Sequence, residues 1–274
     1  MDRPVIIETE RKLKKGSPKS LDIIVDITCD DIHKFGSTSH WKRGGYGDVY
    51  KHCIFSKQGI KYCEYVVKIE KCDEDKYREL VVAKNTNNRA YEMGLAPKIY
   101  KLIQCEALRT TPKCLTLMDL VEGETLSSQI VNDDLSIYHI DDLFRAIKKL
   151  HSGSSLQYTQ YHGDLNPANI IYDEGTKKYV FIDFTYRDDY EPIYDYATFL
   201  FYLNFYYSNT KKNLPPFGMS LSEVLDYFYK KVFNELEKLK GDFIIDKLLE
   251  VRDSNMKDAA KRKKYETIVT TYLY

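Results

Sequence analysis

Residues 162–170 read HGDLNPANI, and no other stretch limits the possible folds of this chain so strongly. Asp164 and Asn169 stand between a segment with helically spaced apolar residues, Leu143–Leu150, and a short apolar run, Ile170–Tyr172. A loop fixed at both ends presents a carboxylate and an amide oxygen to the same point. Phosphoryl transfer needs that pair: a carboxylate to orient an acceptor hydroxyl, and oxygen ligands to hold Mg²⁺ on the phosphates. A polar turn before a strand would have the same composition, so the loop has to be read with its neighbours.

Two neighbours strengthen the reading. FIDF (181–184) ends an apolar strand in a single charge, Asp183, fourteen residues after Asn169 and across a turn at Asp173–Gly175. A carboxylate in that setting is costly to bury without a cation, and Mg²⁺ answers the need. Upstream, RGGYGDVYK (43–51) has glycines at 44, 45 and 47, where backbone N–H groups can approach phosphate oxygens closely, and Val49 can pack on a base. The strand YVVKIE (65–70) follows and sets Lys68 in an apolar run, where its ammonium needs anionic partners.

The rest of the chain divides in two. LDIIVDIT (21–28) reads as a short strand; residues 48–55 and 61–70, joined by SKQG (56–59), read as a β-hairpin. A helix is expected from about Asp73 to Met93, with an acidic start and Gly94 and Pro97 as its stop. Ile99–Cys105 and Cys114–Val121 complete a small antiparallel sheet. Beyond Gly123 the pattern turns helical: a helix at about 137–152, short strands at 170–172 and 179–182, then helices over 220–274. The fold class is therefore α+β with two lobes: a small antiparallel sheet with one helix, then a mainly helical part. Residues 1–20 are read as a flexible arm, 21–121 as the first lobe and 122–274 as the second. A ligand cleft is expected at such a junction.

Taken together these residues resemble the protein-kinase signature set over residues 42–207: Gly-rich loop, lysine strand, catalytic Asp and Asn, and metal-binding Asp. The resemblance implies a protein-kinase-like fold that binds ATP and Mg²⁺. In it Gly44, Gly45, Gly47 and Val49 cover the nucleotide, Lys68 holds the α- and β-phosphates, and Asp164 is the catalytic carboxylate. Asn169 and Asp183 carry the metal. LMDLVEG (117–123) resembles the interlobe hinge, with Met118 as gatekeeper and the backbone of Asp119 and Val121 on adenine. The lysine strand and helix are similar to those of casein kinase I and the vaccinia-related kinases, which implies Glu79 as the partner of Lys68, with Glu92 as the rival.

The chain also departs from that set. Gly163 stands in HGD where regulated kinases have Arg, so no cation there can grip a phosphorylated loop. Asn166 replaces the lysine that helps neutralise the transferring phosphate; it is counted with the catalytic residues by position. Thr185 replaces the DFG glycine, and about ten residues lead from Asp183 to YDYATFL (194–200). This short path resembles RIO kinases and the aminoglycoside and choline kinases. Asp195 matches the helix Asp that braces the catalytic loop. His162 is read as a support for the loop. The expected activity is transfer of the γ-phosphate of ATP to a protein Ser or Thr. A small-molecule acceptor, or a nucleotide-binding pseudokinase, is the alternative.

Composition excludes little else. The 274 residues carry 41 basic and 41 acidic side chains, so there is no global reason to expect nucleic acid or an acidic membrane as partner. No apolar run is long enough to span a bilayer. The N-terminus lacks the apolar core of a signal peptide, although delivery into a host cell or nucleus stays open. All six cysteines lie in the first 114 residues without a CxxC pair, and read as reduced thiols of a cytoplasmic protein.

Overall fold

The structure, a computed structural model, describes residues 5–8, 22–25, 27–30, 42–43, 47–55, 61–106, 111–132, 137–152, 160–188, 192, 194–199, 202, 227, 230 and 231. They divide into two compact units, Met1–Asn88 with Pro97–Leu120, and Arg89–Ala96 with Val121–Tyr274. Both contain small antiparallel sheets and helix, so the chain is α+β.

In the first unit β1 (Val5–Glu8) pairs antiparallel with β2 (Asp22–Val25). The arm expected over 1–20 thus contains a strand. Its apolar VII run finds a partner in the DIIV run, a pairing invisible when each is read alone. The main sheet has five strands, β3 (Lys42–Arg43), β4 (Gly47–Phe55), β5 (Lys61–Lys71), β6 (Ile99–Cys105) and β7 (Lys113–Asp119), in the order β3-β4-β5-β7-β6. Every pairing is antiparallel. Because side chains alternate along a strand, Tyr65, Val67 and Ile69 of β5 share one face. They join Ile27, Tyr50, Cys105, Leu115 and Leu117 in one buried cluster. Fully buried side chains such as Val67 and Leu117 each contribute about 1.5–3 kcal/mol. Lys68 and Glu70 lie on the opposite face.

Helix α1 (Glu74–Glu92) begins and ends as its sequence suggests. The Asp73 carboxylate accepts from Lys76 N at 2.9 Å, capping the first turn, and Glu74 and Asp75 sit at the positive end of the dipole. At the other end Gly94 adopts φ +73°. Gly94 N donates to Tyr91 O (2.8 Å) and Leu95 N to Ala90 O (2.9 Å), the paired bonds of a Schellman stop.

Two disulfides overturn the expectation of reduced thiols. Cys29 is bonded to Cys105 and Cys72 to Cys114, with Cα–Cα separations of 5.5 and 5.3 Å. Spacing along the chain hides both pairs. Cys72 is brought to β7 by the end of β5, where its N–H also donates to Pro112 O at 2.9 Å. Cys29 follows Ile27, whose carbonyl accepts from Lys101 Nζ at 2.8 Å and whose side chain enters the core. A cytoplasmic location argued from free thiols loses that support. The side chains of Cys53 and Cys63 lie outside the described residues.

The second unit is built on β8 (Gly123–Thr125), β9 (Ile170–Asp173) and β10 (Lys178–Phe181), paired antiparallel in the order β10-β9-β8. β9 and β10 match the two expected strands to within a residue. β8 was not expected: three residues are too few to show a period. Thr125 caps α2 (Leu126–Asn132) by accepting from Ser128 N at 3.2 Å. α3 (Ile137–Ser152) buries Ile140, Leu143, Phe144, Ile147 and Leu150 at helical spacing. Of the helices expected over 220–274, only Tyr227, Lys230 and Lys231 are described; they are helical. Tyr227 Oη donates to Asp141 Oδ1 at 2.9 Å, and Lys231 Nζ lies 2.6 Å from the same oxygen. Among the described residues no helix is long and apolar enough to cross a membrane.

Candidate active site

The loop 160–169 is held from three directions. Asn166 caps the 3₁₀ turn Pro167–Asn169, its Oδ1 accepting from Ala168 N at 2.9 Å. Pro167 suits the first position of that turn, where an N–H would go unused. The same Asn166 donates through Nδ2 to Asp164 Oδ2 at 3.1 Å. Asn169 Nδ2 donates to both Asp164 O and Asp164 Oδ2, each at 3.0 Å. Two amides therefore fix one oxygen of the Asp164 carboxylate, and Oδ1 carries no hydrogen bond among the described residues. With its nitrogen committed, the Asn169 amide offers only its oxygen to a cation.

Below the loop, Asp195 is fully buried. Its Oδ2 accepts from His162 N (2.6 Å) and His151 Nε2 (3.0 Å), and its Oδ1 from Gly163 N (3.0 Å). Burial alone would raise its pKa. The hydrogen bond and charge of His151, together with His162, outweigh burial and hold the carboxyl below its ordinary value. Asp195 thus anchors the backbone immediately before Asp164, the role its position implied. The sequence offered His151 only as a histidine at the end of a helix.

His162 is a support, as expected. Nε2 donates to Ile182 O at 2.8 Å, and Nδ1 accepts from Asp164 N at 3.3 Å. The ring stacks on Phe184 at 4.5 Å between centroids and meets Phe181 edge-on at 6.2 Å. Burial pushes its pKa down and keeps it neutral, against the pull of Asp195 and Asp164. Thr185 N donates back to His162 O, and Ile182 N to Asn169 O, each at 2.9 Å. The strand end bearing Asp183 is thereby stitched to the loop bearing Asp164 and Asn169.

Gly163 explains its own identity. It adopts φ +84°, and a Cβ there would overlap the carbonyl oxygen of Thr185. The loop passes so close to 185 that only glycine fits. Asp183 is exposed and has φ +60°, a left-handed backbone that few non-glycine residues adopt. Such strain gathers at functional sites. Neither feature can be read from residue types alone.

The remaining expected residues lie mostly in the first unit. Gly44 and Gly45 lie outside the described residues. Gly47 opens β4, where a Cβ would come 2.6 Å from Ile69 O, so its glycine is needed for strand approach. Val49 pairs with Lys68, and Lys68 with Thr116. The Lys68 ammonium is 3.4 Å from a carboxylate, that of Glu70, with side-chain exposures of 15% and 5%. Glu79, the implied partner, instead pairs with Lys76 at 3.0 Å and is 44% exposed. Glu92 is exposed at the end of α1. Glu70 was legible in principle, since residues two apart on a strand share a face. Met118 is half-buried in β7. Asp119 N donates to Lys98 O (3.1 Å), and the Asp119 carboxylate accepts from Lys98 N (3.2 Å) and Tyr100 Oη (2.7 Å). In the second unit Val121 is half-buried.

Among the described residues no three His, Cys, Asp or Glu side chains gather as a metal cage. Asn169 Oδ1 and the Asp183 carboxylate are oxygen donors, which suits Mg²⁺; it takes one or two carboxylates and completes its shell with water and phosphate. No protein-family model matches the chain, and no curated protein does.

Proposed function

We propose that this chain is an ATP- and Mg²⁺-dependent phosphotransferase of the two-lobed protein-kinase-like fold, acting on a protein hydroxyl. The observation that supports it most is the Asp164 carboxylate, fixed through one oxygen by the amides of Asn166 and Asn169. It stands in a loop stitched to the segment of the left-handed Asp183. In this reading Asp164 Oδ1 orients the acceptor hydroxyl. The hydroxyl oxygen bonds to the γ-phosphorus as the bridging P–O bond to ADP breaks, and Asp164 takes the proton and passes it to solvent. Asn169 and Asp183 would hold Mg²⁺, which when bound neutralises phosphate charge. Lys68 would hold the α- and β-phosphates. Asn166 has no charge to offer the transferring group, and its amide serves to fix Asp164.

A second reading, a small-molecule kinase, is favoured by the contact of Gly163 with Thr185. That contact leaves room only for glycine at 163, in a loop that resembles those of the aminoglycoside and choline kinases. Intact-mass spectrometry tests both. The protein is incubated with Mg²⁺/ATP and either a protein lysate or a metabolite extract. A gain of one phosphate on a protein supports the first reading, and ATP consumption stimulated by metabolites alone supports the second. If neither occurs, the phosphotransferase reading fails.

A further inference from the structure

We infer that Glu70, on the same strand as Lys68, is the positioning residue for the lysine ammonium. This rests on the phosphotransferase reading. Glu70 and Lys68 project from one face of β5, their charged atoms 3.4 Å apart and both largely out of water. A buried ion pair is a poor source of stability, because desolvation offsets most of the attraction. Its use is to keep an ammonium charged and aimed where a loose lysine would sample many rotamers. The sheet makes room for it. Gly47 is opposite Glu70 in the β4–β5 register, and even a Cβ at 47 would lie 3.1 Å from the Glu70 Cβ. On the other side Glu70 is opposite Cys114, which is bonded to Cys72. The carboxylate therefore stands between a residue with no side chain and one tied into a disulfide. Glu79, the acidic residue of α1 that could have taken this role, is held on the helix surface by Lys76.

The consequence is regulatory. A lysine positioned by a helix carboxylate can be disarmed by moving the helix. One positioned from its own strand cannot, because residues 68 and 70 move together. The site is then set in the folded sheet and needs no displacement of α1 to become competent.

The test uses the full chain and isothermal titration with Mg·ATP and, separately, adenosine. Glu70→Gln is expected to weaken Mg·ATP binding about tenfold, the loss of one charge-assisted contact, while Glu79→Gln changes it by less than about twofold, as for an exposed pair. Adenosine, which has no phosphates, should bind Glu70→Gln and wild type alike; a general loosening of the sheet would weaken both ligands. In a Lys68→Met background Glu70→Gln should add nothing, which isolates the pair. Weakened adenosine binding, an added loss in Lys68→Met, or a loss confined to Glu79→Gln overturns the inference while the enzyme reading stands. If wild type does not bind Mg·ATP saturably, the enzyme reading falls and the inference with it.

Discussion

Replacing Gly163 by alanine adds one methyl group to a loop that has no space for it. Three costs follow from the structure. A left-handed backbone costs an L-residue about 1–2 kcal/mol. The new Cβ overlaps Thr185 O and lies 2.9 Å from its carbon, so residue 185 must retreat and its 2.9 Å bond to His162 O is lost, about 1 kcal/mol. Any shift of the loop also strains the 3.0 Å bond from Gly163 N to the buried Asp195 carboxylate, worth about 1.5–3 kcal/mol because the acceptor is charged. The expected loss is about 3.5–6 kcal/mol, a large part of the roughly 5–15 kcal/mol that stabilises a typical domain. Urea unfolding followed by tryptophan fluorescence or circular dichroism measures it, as a fall in midpoint at constant slope. Gly163→Arg, which puts a longer side chain in the same place, should lose at least as much. If either variant unfolds within about 0.5 kcal/mol of wild type, as a neutral surface change would, the close passage of the two segments is wrong.

Four further outcomes are expected. Asp183→Asn should keep the fold, since Asn tolerates the left-handed region, but lose phosphate transfer in the intact-mass assay; transfer at the wild-type rate would remove Asp183 from the site. Cys29→Ser with Cys105→Ser opens a loop of 76 residues, and chain entropy puts the loss at about 4.5 kcal/mol, read as a lower melting temperature; an unchanged melt would mean the bond constrains nothing. His162 is buried neutral with its pKa lowered from 6.5, so the unfolded chain binds the proton more readily, and stability falls as pH drops below about 6.5, by up to about 1.4 kcal/mol per unit. Urea midpoints at pH 7.5 and 5.5 check this, and His162→Gln should flatten that part of the profile. Asp195 has its pKa lowered from 3.8, so its stabilisation is present above that value and lost as pH falls further; Asp195→Asn should remove that acid limb.

The residue types alone marked most of the longer elements and the chemistry on offer, but not β1 or the three-residue β8. Asp73 and Gly94 bounded α1 because a carboxylate caps free N–H groups and glycine takes a left-handed stop, both local effects. The period of Leu143, Ile147 and Leu150 fixed the buried face of α3. The spacing of Asp164, Asn169 and Asp183 named the candidate site. Only the tertiary structure decided which groups meet across distance. Cys72 with Cys114, Asp195 beneath the His162 backbone, and Gly163 against Thr185 are contacts between segments whose separation along the chain gives no hint of their proximity. Glu70 beside Lys68 is a different case, since residues two apart on one strand share a face. A strand pair and a helix pair are equally plausible by residue type; in the folded chain the pleat of β5 brings Glu70 to 3.4 Å from Lys68, while Glu79 lies 3.0 Å from Lys76.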